Sequence, residues 1–285
     1  MIGTQTARKQ TQHRWTGPLL AASIALGSLA AVPQPSQAGI FDNVIRGLVN
    51  GGVQAIQMSS LSDEQEIALG RQIDQQVRSQ VRLSRDRRLV NYVNRIGQRL
   101  VPYSERPDIP YSFRVVEDPA INAFATMGGF IYVNTGLIAA AQNEAELASV
   151  VAHEIAHVAD RHAVKQMREA AIASGVATTA GVNTNQLVGI GVELALRRPH
   201  SRRHEYEADK MGLVNLARAG YAPEAMVSFM QTLLATQGNG GPAFLSTHPL
   251  TRDRVARLAA AVGSTPSGGD GLDRNAHRRQ IASLL

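Results

Sequence analysis

The stretch Glu144–Ala159, EAELASVVAHEIAHVA, decides the fold and contains the pattern His153-Glu154-Ile155-Ala156-His157. Asn143, with a glutamate three residues later, has the spacing of a helix-capping pair and predicts one helix over about 144–170. Residues four apart lie on the same face of a helix, so both imidazoles can reach one metal ion while Glu154 lies beside it. The pattern therefore predicts a metal site on this helix.

A plain amphipathic helix with two surface histidines is the alternative explanation of this pattern. The flanking residues are apolar and would bury the turn: Leu147, Val150, Val151, Ile155 and Val158. A buried glutamate without a partner is costly, whereas a metal ion and its water supply the missing partners. We therefore favour the metal site, with Glu154 as the base beside the ion.

The composition narrows what this site can be. The chain has 285 residues and no cysteine, which excludes disulfide scaffolds, cysteine zinc sites and thiol nucleophiles. Any metal must therefore be held by His, Asp or Glu. The formal net charge is +6, and 44% of the residues are hydrophobic, as in a folded protein. Because no basic stripe is interleaved with aromatic residues, we expect no nucleic-acid partner.

The third metal ligand is predicted on a second helix. The pattern that adds a third histidine six residues after His157 fails, because Ala163 stands there. Glu205 and Asp209 are one helical turn apart, so the first can bind the ion while the second accepts a hydrogen bond from a ligand imidazole. His204 is the competing third ligand. It points about 100° away from its neighbour round the helix, so only one of the two should face the metal.

Two stretches alternate and are rich in aromatic and β-branched residues, as strands are: Tyr111–Val116, and Phe130–Val133 after a pair of glycines. Helical periodicity dominates the remainder. A capping pair at Ser62 opens one helix, and apolar residues over 89–100 define the next. We predict an α+β fold, mostly helical, in which a small antiparallel sheet packs on the metal-site helix.

The chain is predicted to divide into four segments. Residues 1–38 form an export signal, because a basic start leads into an apolar run that ends in small residues suited to cleavage after Ala38. An uncleaved membrane anchor is the alternative, although the run is shorter than the roughly 20 residues that span a bilayer. The remaining segments are a flexible lead-in (39–60), the metal-binding domain (61–262) and a flexible, Ser- and Gly-rich tail (263–285).

Taken together, the motifs resemble the zinc metallopeptidase family of the CAAX prenyl proteases and HtpX, and within it the exported envelope proteases BepA and LoiP. The resemblance covers most of residues 60–260. It lies in the HExxH helix, Glu205-x-x-Ala208-Asp209, Gly128–Leu137, and Thr247-His248-Pro249 followed by Arg254. It implies a gluzincin-like domain with one zinc ion per chain, held by His153, His157 and Glu205.

Two further residues are catalytic candidates by similarity alone. His248 and Arg254 match positions that could stabilise the oxyanion of the reaction. A second role is open for His248, because a loop histidine in the exported relatives can occupy the free zinc position as a latch. The structural alternative is a helix that begins after Pro249 and carries a solvated Arg254.

The substrate site is expected on the strand beside the metal. An extended substrate would pair with an exposed edge strand through backbone hydrogen bonds, which give affinity with little sequence selectivity. The residues predicted for this role are Gly129, Phe130, Ile131, Tyr132 and Val133. His162 and His200 are predicted to be packing or surface histidines, and no role is assigned to them.

The resemblance implies an exported zinc metalloendopeptidase that hydrolyses misfolded or unassembled envelope proteins in the periplasm, beside the outer-membrane assembly machinery. Peripheral contact with a membrane stays open. A latched zinc-containing chaperone or assembly factor is the alternative, although a closed structural site has no use for an intact Glu154. A membrane-embedded CAAX-type protease is disfavoured, because Asn183-Thr184-Asn185 divides the apolar stretch 170–196 into pieces too short to span.

Overall fold

The computed structural model describes residues 55–56, 61–173, 182–236, 242–249, 251–264 and 268–285. The predicted export signal, 1–38, and all of the predicted lead-in except residues 55 and 56 lie outside the described residues. The strands are β1 (Ala55–Ile56), β2 (Ser112–Val116), β3 (Ala123–Ala125), β4 (Phe130–Asn134) and β5 (Val182–Asn183).

Helices make up most of the described chain, which confirms a mostly helical α+β fold. They are α1 (Asp63–Arg78), α2 (Arg87–Leu100), α3 (Thr135–Ala140), α4 (Glu144–Ala159), α5 (His162–Ala173), α6 (Thr184–Arg197), α7 (Arg202–Arg218), α8 (Glu224–Ala235), α9 (Phe244–Thr247), α10 (Arg252–Gly263) and α11 (Arg274–Gln280). Short 3₁₀ turns occupy Val101–Tyr103, Met127–Gly129 and Ala282–Leu284.

The helix starts follow the capping signals in the sequence. At the start of α1, Ser62 and Gln65 form both bonds of a capping box. At the start of α4, the Asn143 side chain accepts a hydrogen bond of 2.9 Å from the backbone N–H of Glu146. The prediction of one helix over 144–170 is wrong, because Arg161 adopts a positive φ of 57° and separates α4 from α5.

The main sheet has the order β2-β4-β3 and is mixed. Strand β4 pairs antiparallel with β3 but parallel with β2, so the prediction of an antiparallel sheet is wrong for the second pair. The missed strand β3 explains the difference. It reverses the chain between β2 and β4, so that β4 returns in the direction of β2. With three residues, β3 is too short for an alternating pattern to reveal it.

A glycine turn joins β3 to β4. Gly128 and Gly129 have φ values of 75° and 93°, in the left-handed region that side chains disfavour. The turn is closed by a backbone hydrogen bond of 2.8 Å from the N–H of Thr126 to the carbonyl of Phe130. The glycine pair in the sequence therefore marks the turn that lays β3 along β4.

Strand β4 separates two apolar cores. Ile131 and Val133 face the core that contains α2, α4 and α8, whereas Phe130 and Tyr132 face the core of α1, α5 and α6. All five residues of β4 are buried, as in a strand covered on both faces. This position makes β4 the buried centre of the fold, against which α4 packs.

Helix α4 is buried along most of its length and packs against the sheet and α7. The close approach of α7 favours glycine. A Cβ atom added at Gly212 would lie 3.1 Å from the backbone N and Cα of His153. The two helices that carry the predicted metal ligands therefore meet at the first histidine itself.

The end of the chain is packed, so the prediction of a flexible tail is wrong for residues 268–285. Helix α11 places His277 in a buried position, where its Nδ1 lies 2.7 Å from the Tyr92 hydroxyl of α2. Ile281, four residues later on the same side, is also buried. The Ser- and Gly-rich residues precede this helix, so their composition carried no information about how the helix itself packs.

None of the helices in the described ranges has the length and apolar character needed to cross a bilayer. In the apolar stretch 170–196, α6 packs against α1 and α5.

Candidate metal centre

Four side chains from three parts of the chain converge on one buried point, and we call them the donor cluster: His153 and His157 of α4, Glu205 of α7, and His248 after α9. The Nε2 atoms of His153 and His157 are 3.0 Å apart. The Glu205 carboxylate lies 3.5 Å from the first of these atoms and 3.4 Å from the second. His248 Nδ1 lies 3.2 Å from Glu205 and 3.4 Å from His153 Nε2.

These separations fit a tetrahedral metal ion. Four donors at about 2.0–2.1 Å from a tetrahedral ion are about 3.3–3.4 Å from one another. The imidazole rings also meet edge-on, at 77° between His153 and His157 and 69° between His153 and His248. Such planes allow the ring nitrogens to converge on one ion. The cluster could therefore hold a metal.

The charges around the donor cluster support the same conclusion. Three buried carboxylates, Glu154, Glu205 and Asp209, surround the site, and Arg254 is the buried cation among them in the described part of the chain. With the donor imidazoles neutral, as metal binding requires, these groups leave an excess of two negative charges, which is costly in a buried site unless a cation compensates it. A divalent ion at the donor cluster would supply the missing charge.

Asp209 lies one turn beyond Glu205 and faces the other nitrogen of His153, at 3.1 Å from Oδ1 to Nδ1. Although burial acts in the opposite direction, hydrogen bonds to Asp209 and Glu205 raise the pKa of His153 to about 9. A carboxylate at this nitrogen fixes the ring so that Nε2 points into the cluster.

Glu154 is fully buried beside the donor cluster. Neither of its carboxylate oxygens has a hydrogen-bond partner among the described residues, and His248 Nε2 lies 3.4 Å from Oε1. Burial raises the pKa of Glu154. A carboxylate without a partner next to a metal cluster is placed to take a proton from a water molecule.

Arg254 is buried and contacts the carboxylates of the site. Its Nε and Nη2 donate to Asp209, both at 2.7 Å, and Nη1 lies 2.5 Å from Glu205 and donates to the carbonyl of Pro249 at 3.0 Å. Although burial acts to raise it, this contact lowers the pKa of Asp209. The predicted alternative of a solvated Arg254 is therefore wrong. The guanidinium is occupied by carboxylates, so its geometry supports a positioning role instead of an oxyanion contact.

The predicted substrate strand is not an edge strand. Gly129, Phe130, Ile131, Tyr132 and Val133 lie in or next to β4, whose two sides are paired with β2 and β3. The prediction of this strand as the docking edge is wrong, because its backbone groups are already used within the sheet. An unbroken apolar run is typical of a strand covered on both faces, and this signal was present in the sequence.

His204 does not join the donor cluster, so Glu205 is the member of that pair that faces it. Together with His162 and Glu207, His204 forms a second group of potential ligands, which we call the outer cluster. The two imidazoles of the outer cluster stack at 4.3 Å with an angle of 20° between their planes.

Two histidines without a predicted role lie against the donor cluster. His162 Nδ1 is 2.8 Å from His157 Nδ1, and the His200 ring is 4.1 Å from the His157 ring. Helical periodicity could not place His162, because the positive φ of Arg161 turns the chain between it and α4. The abundance of histidine was the available signal: six of the chain's eight histidines are in mutual ring contact here.

The fold and the donor cluster define a class of proteins, the metallopeptidase domains in which an HExxH helix and a glutamate from a later helix meet at one metal centre. Residues 88–262 match peptidase family M48, and the chain belongs to this family. The match confirms the family resemblance that the motifs predict.

Individual relatives agree with this assignment. The chain is 33% identical over 213 residues to a beta-barrel assembly-enhancing protease of Escherichia coli and 34% identical over 214 residues to one of Yersinia pestis; each match covers 70% of this chain and 44% of the relative. It is 31% identical over 172 residues to the mitochondrial metalloendopeptidase OMA1 of Schizosaccharomyces pombe, covering 59% of this chain and 51% of the relative. The chain thus spans less than half the length of the two bacterial relatives.

Proposed function

We propose that the protein is a zinc-dependent endopeptidase of the cell envelope that hydrolyses misfolded or unassembled envelope proteins. The observation that carries this proposal is the unpartnered Glu154 carboxylate beside four donor atoms spaced 3.0–3.5 Å apart. The set of three imidazoles and one carboxylate is one that zinc prefers, and such a set without cysteine also suits a catalytic zinc site.

His153, His157 and Glu205 would hold the zinc ion, which supplies the Lewis acidity that polarises a water molecule and the peptide carbonyl. Glu154 takes a proton from the water molecule as the water oxygen forms a bond to the peptide carbon. As the C–N bond breaks, Glu154 passes this proton to the leaving amine. Arg254 holds the Glu205 and Asp209 carboxylates in place throughout.

We place the substrate on the outer edge of β3. Asn122 O and Thr126 N bond to β4, so the alternation of an antiparallel pair directs the backbone groups of Ala123 and Ala125 to the opposite edge. This edge is unpaired in the described sheet, and β3 packs against α4. Backbone pairing recognises an extended conformation with little selectivity for sequence, which suits unfolded substrates.

His248 supports a latched state of the enzyme. Its Nδ1 completes the tetrahedral set of donors, and its Nε2 faces Glu154 at 3.4 Å. A ligand at the fourth position excludes water and substrate from the ion. This observation also favours the second candidate function, a zinc-containing chaperone or assembly factor with little proteolysis, if the latch never opens.

The envelope setting rests on the relatives. Two of them are named as proteases that enhance beta-barrel assembly. We propose by analogy that this chain is exported by the predicted signal at 1–38 and acts in the periplasm, near the machinery that assembles outer-membrane proteins.

The test is degradation of unfolded casein by the purified full chain, with and without a chelator and with zinc restored, beside Glu154→Gln. Zinc-dependent cleavage that Glu154→Gln abolishes supports the proposal. A zinc-loaded protein that never cleaves, even as His248→Ala, but suppresses the aggregation of casein would establish the chaperone instead.

The same assay decides the role of His248. If it is a latch, His248→Ala raises the rate of cleavage, because the fourth position becomes free. If it stabilises the transition state, the same substitution lowers the rate by about 100-fold or more.

A further inference from the structure

A series of hydrogen bonds leads from Nδ1 of His157 away from the donor cluster. While Nε2 of His157 faces the cluster, its Nδ1 lies 2.8 Å from Nδ1 of His162. The other nitrogen of His162, Nε2, lies 2.7 Å from Asp160 and 3.2 Å from Glu207. His162 is fully buried, so its ring has no solvent to replace these partners.

With both imidazoles neutral, the protons along these hydrogen bonds have one arrangement. Both carboxylates accept, so His162 Nε2 carries a proton and donates it to them. A neutral His162 then has a lone pair on Nδ1, which accepts from the N–H at Nδ1 of His157. His157 is thereby left with its lone pair on Nε2, the nitrogen that faces the donor cluster.

The outer cluster is not arranged as a second metal site. Lys165 lies 2.9 Å from Asp160, and Arg203 lies 2.9 Å from Glu207, so both carboxylates already have cationic partners. The nearly parallel rings of His162 and His204 direct their lone pairs along separate planes that do not meet at one ion. An ion on His162 Nε2 would also force a proton onto Nδ1, against the N–H of His157.

We propose that His162 is a positioning residue that fixes the Nδ1–H tautomer of His157 and so presents Nε2 to the metal. Asp160 and Glu207 anchor His162 in the tautomer that this requires. The inference rests on the proposed zinc site, since it concerns one of its ligands. Partners of this kind orient the imidazole and raise its basicity as a ligand.

The test is the zinc affinity of the full chain, measured by competition with a chromophoric chelator. His162→Phe keeps the ring and its stacking on His204 but removes both nitrogens, and we expect zinc to bind 10–100-fold more weakly. His162→Asn places an amide oxygen near the position of Nδ1, where it can accept from His157, and should lose less than about tenfold.

His204→Phe is the matched control, because it removes a nitrogen base from the outer cluster without touching the hydrogen-bond chain. It should keep one zinc per chain and wild-type affinity. Nitrogen-15 NMR of the zinc-loaded wild type should show the His157 proton on Nδ1, a signal that changes in His162→Phe even when that variant folds normally.

The outcomes separate the two proposals. Wild-type affinity in His162→Phe, or a proton on His157 Nε2, overturns the positioning role and leaves the zinc site intact. Two zinc ions per wild-type chain, with one lost in His204→Phe, would make the outer cluster a metal site and overturn the inference. A wild-type chain that binds no zinc overturns the proposed function together with the inference.

Discussion

The donor cluster and the outer cluster are built from the same residue types and touch at His157 and His162, yet only one of them is suited to a metal ion. Both bring histidine and glutamate nitrogens and oxygens within 4.8 Å of one another. In the donor cluster the rings meet edge-on, at 77° and 69°. In the outer cluster they stack at 20°.

The charge balance distinguishes the two clusters further. Around the donor cluster, three carboxylates face one guanidinium within the described residues. Around the outer cluster, Asp160 and Glu207 are each paired with a cation, Lys165 and Arg203. Uncompensated charge and convergent lone pairs, rather than the number of histidines, mark the metal centre. The balanced cluster instead supports its neighbour.

Exchanging one carboxylate in each cluster gives the largest contrast that we expect. Glu205→Gln removes a ligand and half of the excess charge, so zinc affinity should fall by more than about 100-fold and cleavage should be lost. Glu207→Gln, two residues further along α7, should keep one zinc per chain and lose less than about tenfold in affinity, since an amide oxygen still accepts. Metal analysis and chelator competition measure both. Equal losses would remove the distinction between the clusters.

Glu154→Gln separates the base from the ligands within the donor cluster. Because Glu154 is not one of the four donors and has no hydrogen-bond partner among the described residues, its loss should leave zinc binding unchanged and lower kcat by about 10²–10⁴-fold. Steady-state cleavage of a peptide with wild-type and variant at equal zinc occupancy is the measurement. A variant that loses its zinc would show that Glu154 is a ligand.

Metal removal should lower the stability of the fold through the donor cluster and not through the outer cluster. An ion that binds the folded chain adds about 4 kcal/mol to the free energy of unfolding when its concentration is 1,000 times Kd. A chelator should therefore lower the Tm of the wild type, and zinc should restore it. The same shift is expected in His204→Phe. If that variant responds less than the wild type, the outer cluster also binds zinc.

We expect the smallest effect from a substitution at the close contact of α4 and α7. Gly212→Ala adds a methyl group 3.1 Å from the His153 backbone, and overpacking of this kind costs about 1–3 kcal/mol in the free energy of unfolding. Gly263→Ala is the control, because no atom lies within 4 Å of the added Cβ. Urea unfolding of the metal-free variants measures both. A neutral Gly212→Ala would mean that the two helices can separate without cost.

The sequence was informative where function depends on spacing along one helix. The steps His153 to His157 and Glu205 to Asp209 are single helical turns, so the geometry of each pair follows from the periodicity of the helix. The capping pairs at Ser62 and Asn143 likewise mark real helix starts. Such signals are local, and the tertiary fold only has to bring the two helices together.

The sequence was uninformative about the features of the fold and the site that are determined by tertiary contacts. The three residues of β3 carry no recognisable pattern, so the sequence predicts the central strand β4 as an edge strand. His162 follows a turn at Arg161, and no periodicity carries across it. The cation that balances Asp209 comes from Arg254, 45 residues later. The packing of the helix within residues 268–285 depends on its contact with Tyr92, which lies far away in the sequence.

The most direct test of the account is the anomalous scattering of crystals of the full chain grown with zinc, recorded at the zinc absorption edge. We predict a single peak per chain, bounded by Nε2 of His153, Nε2 of His157 and the Glu205 carboxylate. A peak between His162, His204 and Glu207, or the absence of any peak at the donor cluster, would contradict the account.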